Sequence, residues 1–250
     1  MTIKKYLFFL IILVSQISCY RKVVYVADTS TSYYRVDKKL KATNATIDSV
    51  IAPYKATLDV KMNVYLATNE SELVKGKPNS TLTNWFSDVF YEGSKAKSNL
   101  PLDFSVSNYG GIRVNALGKG DVTIGKIFEL MPFENMLAIA TTDSLGVQKL
   151  CDRIARYGGW PVSTQLNFEI RDSLANNITI HKLPLSGKRN YMIALPDYVA
   201  NGGDDCFFLK DYKIEFTSYL IRDLLIEEVK KEGNIKANNE ERIKISKNGK

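Results

Sequence analysis

From about residue 42 onward, stretches with helical spacing alternate with short strand-like stretches, and glycine and proline corners separate them. Ile47, Val50, Ile51, Tyr54 and Leu58 predict a helix over 42–58. Val60 to Ala67 reads as a strand. Ser80 suits the N-cap of a helix that buries Leu82, Trp85, Phe86, Val89 and Phe90. Leu102 to Ser107 alternates as a strand does, and Ile124 to Met131 forms a short helix that Pro132 ends. A strand at Asn135 to Thr141 and a helix at Asp143 to Tyr157 follow, then several short strands between Leu166 and Leu195. The last helix is expected at Thr217 to Lys231, with Leu220, Leu224, Leu225 and Val229 as its apolar positions and Gly233 as its stop. From Ile235 the chain turns polar and basic, which predicts a frayed end. No repeat is visible, so neither a solenoid nor a propeller is indicated.

The first residues have a different character. Lys4 and Lys5 precede a short apolar run, Tyr6 to Val14, below the roughly 20 residues a bilayer span needs. Ser15-Gln-Ile-Ser18 then leads into Cys19. Residues 1–18 are read as a lipoprotein signal peptide, with Cys19 as the lipidated first residue of an exported bacterial protein. Residues 19–41 form a polar tether, with a possible strand at Val23 to Val26, and residues 42–250 form the domain. The formal net charge is +7, and +5 without the two leader lysines. That bias suits anionic ligands and is too weak to argue for nucleic acid. Cys151 and Cys206 make no disulfide framework, and Cys151 falls on the apolar side of its helix.

Three corners carry side chains of use to a ligand. The first is Asn108-Tyr-Gly-Gly-Ile-Arg113, where a strand ends, two glycines turn the chain and an arginine follows. An arginine forks onto phosphate oxygens through parallel hydrogen bonds. The second is Met131-Pro132-Phe133-Glu134-Asn135, which offers an aromatic ring at the start of a strand. The third is Tyr198 to Asp204, with a ring, the Gly202-Gly203 turn and a carboxylate. Two rings from separate corners suit stacking on a flat base, worth about 1–3 kcal/mol per base. Each corner alone reads as an ordinary turn, core anchor or loop; the combination is what points to a nucleotide.

Together these phrases resemble the C-terminal, substrate-binding domain of secreted 5′-nucleotidases and UDP-sugar hydrolases. The resemblance runs over roughly residues 42–245. Weaker support comes from Leu82-Thr-Asn-Trp-Phe-Ser-Asp88, Gly159-Trp-Pro-Val-Ser163 and Arg222-Asp-Leu-Leu-Ile226. It implies an α+β fold, with helices packed outside mixed sheets. It also implies substrate-binding roles: Phe133 and Tyr198 clamp the base, Asn108 contacts it, Arg113 reaches the phosphates and Asp204 binds ribose hydroxyls. The chain departs from the family pattern at Thr83, where glycine is usual, and at Tyr198, where phenylalanine is commoner. It offers Lys75 and Lys77 where a further arginine is often found.

Complete members of that family hydrolyse phosphate esters with a two-metal domain, and such a site needs several histidines. This sequence has one, His181, in a strand-like stretch. No C-x-x-C pair, P-loop or dinucleotide fingerprint is present, and Asp204 and Asp205 are a poor acid–base pair. No catalytic residue, cofactor or metal is therefore expected in this chain. The expectation is a nucleotide-binding half that works with a separate metallophosphatase chain carrying divalent metals. A non-catalytic surface protein that binds nucleotides or nucleotide sugars is the alternative, and a degenerate interaction domain is a distant third.

Overall fold

The computed structural model describes residues 44–246. The leader, Cys19, the tether and the strand expected at Val23 to Val26 lie outside the described residues. The first helix, α1 (Ala45–Met62), buries no residue, and Val50, Ile51, Tyr54 and Leu58 are all exposed. It runs on through the first residues of the strand expected at Val60. That strand, β1 (Tyr65–Asn69), starts later and is followed by β2 (Leu73–Val74).

Helix α2 (Thr81–Ser98) starts as expected. The Ser80 hydroxyl accepts from the Thr83 amide, and Leu82, Trp85, Phe86, Val89 and Phe90 are buried. Next come β3 (Phe104–Ser105), β4 (Ala116–Leu117), β5 (Gly120–Thr123) and α3 (Ile124–Leu130), which ends two residues before Pro132. Strand β6 (Met136–Thr142) leads into α4 (Ser144–Arg156), where Asp143 caps the amide of Gly146. Strands β7 (Leu166–Arg171), β8 (Leu174–Ile180), β9 (Leu183–Pro184) and β10 (Tyr191–Pro196) follow. His181 falls just past β8, in a turn with left-handed φ of 52°, not inside a strand. The single-turn helix α5 (Asp197–Ala200) carries Tyr198.

The last helix starts later than its periodicity suggests. Residues Lys213–Leu220 are strand β11, and α6 (Ile221–Glu232) begins only there. Strand β6 pairs with β11 through Phe216 and again at Leu220, which holds this β-branched and aromatic stretch extended. Gly233 does end α6, at φ 67° with its amide donating to the Val229 carbonyl. The segment beyond it does not fray at once. Strand β12 (Asn234–Ile235) pairs with β1, and β13 (Ile243–Ile245) pairs in parallel with β7.

The α+β architecture has one sheet at its centre, in the order β11-β6-β10-β3. Side chains alternate across it. Ala138 and Ala140 of β6, with Ile193 and Leu195 of β10, face one apolar core that holds α4 and the β13-β7-β8-β9 sheet. Leu137, Ile139 and Ala194 face a second core, which holds α2, α3 and α6. Helix α2 packs closely on α6: a Cβ on Gly93 would lie 3.1 Å from that of Leu224. Helices α2, α3, α4 and α6 cover the sheets from outside, as expected, while α1 does not.

The tail is held by a side chain that no local pattern marks. Arg242 is 1% exposed. Its guanidinium donates to Asp88 Oδ2 at 2.5 Å, Glu240 Oε2 at 3.1 Å, and the carbonyls of Val162 at 2.7 Å and Asn84 at 3.2 Å. A buried cation needs such partners, because desolvation is otherwise unrepaid.

Candidate functional site

Strand register brings the three corners together. In the antiparallel pair β6–β10, Leu137 lies opposite Pro196. Phe133 precedes Leu137 by a few residues and Tyr198 follows Pro196, so both rings leave the same end of the sheet. Strand β3 runs parallel to β10, with Ser105 beside Ala194. Its exit leads to Asn108 at that same end. The glycines after Asn108 form one 3₁₀ turn, Tyr109–Gly111, and Arg113 is then anchored by its amide to the Leu130 carbonyl at 2.9 Å.

The result is a cleft of about 410 Å³. All five residues singled out in the sequence line it: Asn108, Arg113, Phe133, Tyr198 and Asp204. Lys77, Tyr109, Asn135, Tyr157 and Trp160 line it too. The two rings expected to stack are available, Phe133 at 38% exposure and Tyr198 at 46%. The Arg113 guanidinium lies 5.5 Å from the centre of the Phe133 ring.

Corners one and three are tied directly. The Asn108 amide donates to Asp204 Oδ2 at 2.8 Å, and the Tyr198 hydroxyl donates to Asp204 Oδ1 at 3.3 Å. Asp204 thus holds a base-reading type of side chain and an aromatic ring in fixed relation, while each carboxylate oxygen retains lone pairs for a ligand. Asn108 is 8% exposed, and its side-chain oxygen has no partner. The backbone is locally strained here: Asp204 and Asp205 adopt left-handed φ of 47° and 58°, after Gly202 at 96°. Non-glycine residues in that region cost about 1–3 kcal/mol, a cost tolerated where it aims functional groups.

One side of the cleft is basic. Lys75 and Lys77 flank Tyr109, their ammonium groups 4.0 and 4.5 Å from its ring centre. Lys77 also donates to the Tyr157 carbonyl, and Lys75 to that of Ile112 at 2.6 Å. Burial, then the nearby charges of Arg113 and Lys77, hold the Lys75 ammonium below the usual lysine range. This unrelieved positive field suits an anion.

Other chemistry finds little support. Burial pushes the Cys206 thiol up to about 12, against a small opposing effect from Arg153, so no thiolate nucleophile stands beside the cleft. Cys151 is a buried free thiol, as its helix position suggested. The residues present do not fit a two-metal hydrolytic centre. The sequence has one histidine, and no three His, Cys, Asp or Glu side chains among the described residues are grouped to hold an ion.

Sequence reasoning gave no role to Tyr109, Asn135, Tyr157 or Trp160. The phrase around Trp160 carries part of the resemblance, but no periodicity brings it to this cleft. Gly159 does so, with φ 111° and a close approach to Pro78 that leaves no room for a Cβ.

Residues 56–143 match the family model described as 5′-nucleotidase, C-terminal domain. Over 80% of this chain the structure superposes on a 5′-nucleotidase precursor from Thermus thermophilus, with a TM-score of 0.69 and 21% identity. The fold is that of a 5′-nucleotidase C-terminal domain. The NAD nucleotidase of Haemophilus influenzae shares this 5′-nucleotidase C-terminal fold, with a TM-score of 0.64, 16% identity and 82% of this chain covered. In sequence, Protein UshA of Escherichia coli is 26% identical over 106 residues, which is 41% of this chain and 19% of UshA. The chain spans less than half the length of these proteins: 43% of the Thermus protein and 42% of the Haemophilus one.

Proposed function

We propose that the cleft binds a nucleotide, and that this chain is the nucleotide-binding half of a 5′-nucleotidase-type hydrolase in nucleotide catabolism. The observation that carries the reading is the meeting of two exposed rings, an arginine, an asparagine and a carboxylate from three distant corners in one cleft. Phe133 and Tyr198 stack on the base, Asn108 reads its edge, Asp204 accepts from ribose hydroxyls, and Arg113 takes the phosphate with Lys77 beside it. Several relatives are named as nucleotidases, and the fold matches theirs over most of this chain.

Hydrolysis is then the work of a second chain, a metallophosphatase that brings divalent metals to the phosphate. The donor set supports this assignment, because a two-metal site of the kind the resemblance implies draws on several histidines and this sequence has one. The same observation favours a second reading, a surface protein that captures nucleotides or nucleotide sugars without chemistry. Both readings keep the leader's role: Cys19 bears the lipid and the domain works on the periplasmic or cell-surface side. Removal of Cys19 should then release the protein from the membrane fraction.

Calorimetry with adenosine and adenosine 5′-monophosphate tests the shared core of these readings. Phe133→Ala and Tyr198→Ala should each weaken both ligands by about tenfold or more, as expected for loss of one stacking face. Arg113→Ala should weaken the monophosphate and spare adenosine. Unchanged affinity in both aromatic variants would refute the clamp. Assays on nucleoside monophosphates with and without a candidate metallophosphatase separate the readings, and full metal-dependent hydrolysis by this chain alone would defeat both.

A further inference from the structure

Helix α6 begins against the corner that carries Phe133. The Ile221 amide donates to the Asn135 carbonyl at 2.9 Å. The next residue, Arg222, is 8% exposed and extends its guanidinium beneath the same corner. Its Nη1 lies 3.5 Å from the carbonyl oxygens of both Pro132 and Phe133. The flat face of the guanidinium rests 4.0 Å from the centre of the Phe128 ring. Its Nε has no partner, and among the described residues no carboxylate pairs with it.

An arginine in that state is unusual. Buried guanidinium groups are normally paired with acids, because desolvation is otherwise poorly repaid. Here the acceptors are two backbone carbonyls at one of the two corners that present an exposed ring to the cleft. Pro132 has no amide with which to anchor the corner itself. The Phe133 ring also meets a second arginine, Arg113, which lines the cleft with it.

We infer that Arg222 is a positioning residue for the aromatic wall of the cleft: it fixes the Pro132–Phe133 backbone so that the Phe133 ring stands ready to stack. It touches no ligand and acts through Phe133. The inference rests on the nucleotide-binding reading. It predicts a loss confined to ligands that have a base.

The test uses the full chain with Arg222→Gln, Arg222→Lys, Phe133→Ala and the Arg222→Gln/Phe133→Ala double variant. Circular dichroism first establishes folding. If Arg222→Gln fails to fold, Arg222→Lys, which keeps the charge and loses the fork, carries the comparison. Affinities are measured for adenosine 5′-monophosphate and for ribose 5-phosphate, which lacks the base. Arg222→Gln should weaken the nucleotide by about tenfold, as expected for a misplaced stacking face, and leave ribose 5-phosphate unchanged. The double variant should bind no more weakly than Phe133→Ala alone. Equal losses for the two ligands, or additive losses in the double variant, would overturn the role. Wild-type protein that binds neither ligand would instead sink the nucleotide-binding reading, and this role with it. Normal nucleotide binding by the Arg222 variants would remove the role alone.

Discussion

A methyl group on Gly203 would lie 2.5 Å from both the carbonyl oxygen and a ring carbon of Tyr198. Backbone cannot yield as a flexible side chain can, so the third corner has to open. Gly203→Ala is therefore expected to cost about 1–3 kcal/mol in urea unfolding, the usual range for overpacking. It should also weaken nucleotide binding, because the strained part moves Tyr198 and Asp204 together. Gly118→Ala is the control: its Cβ meets nothing within 4 Å, and its effect should stay within about 0.5 kcal/mol. At this scale the candidate site was largely legible in sequence. Asn108, Arg113, Phe133, Tyr198 and Asp204 each stand at a corner marked by glycine or proline, where chain reversal leaves a local signature. Arg222 and Arg242 were not legible as to role. Apart from Glu240, their hydrogen-bond partners lie about 80 to 160 positions away, and an arginine reads as solvated until such contacts are known.

Among the elements, the best-read were those with a local stop signal. Ser80 opens α2, Pro132 closes off α3 and Gly233 caps α6. The misread boundaries are those that pairing decides. Residues Thr217 to Leu220 have helical spacing toward Leu224, yet β6 claims them, and the tail from Ile235 is polar, yet β1 and β7 claim parts of it. The tail's attachment should be strong. Asp88→Ala removes the shortest bond to the Arg242 guanidinium, which keeps Glu240 and two carbonyls, so a cost of about 1.5–3 kcal/mol, usual for a hydrogen bond to a charged group, is expected. Thermal melts would show it. Two carboxylates, one at a helix cap and one in the tail, also confer acid sensitivity. The Gly146 amide and then the Tyr212 hydroxyl hold Asp143, the α4 cap, below the usual carboxylate range. Burial raises Glu240, but bonds from Thr164 and Arg242 outweigh it and leave that carboxyl low as well. Folded-state values below the unfolded ones mean that both contributions are complete above pH of about 4 and vanish as pH falls through the folded values. Asp143→Asn and Glu240→Gln should each flatten the fall of melting temperature in acid.

For the whole molecule, the basic side of the cleft makes affinity depend on salt in a ligand-specific way. On the proposed reading, Lys77 and Arg113 face the phosphate at a partly exposed site with Lys75 close by, where ions screen them. Adenosine 5′-monophosphate binding should therefore weaken as sodium chloride is raised from 50 to 500 mM (about a threefold change in Debye length), while adenosine binding stays flat. Equal salt dependence for both ligands would count against a phosphate at that side. The interleaving of helices and strands was plain from the sequence, but strand order was not: nothing local announces that β3 lies beside β10, some 90 positions later. That order has a consequence for how the protein can change. The ligand-facing residues sit past the ends of three neighbouring strands, whereas the two cores draw on the faces of those strands. Substitutions of the exposed tip side chains, Phe133 and Tyr198, leave both cores intact, unlike those at Gly203 or the buried Asn108, and substitutions within the strands can raise stability while leaving the tips in place. Selection, or an engineer, has two nearly independent dials.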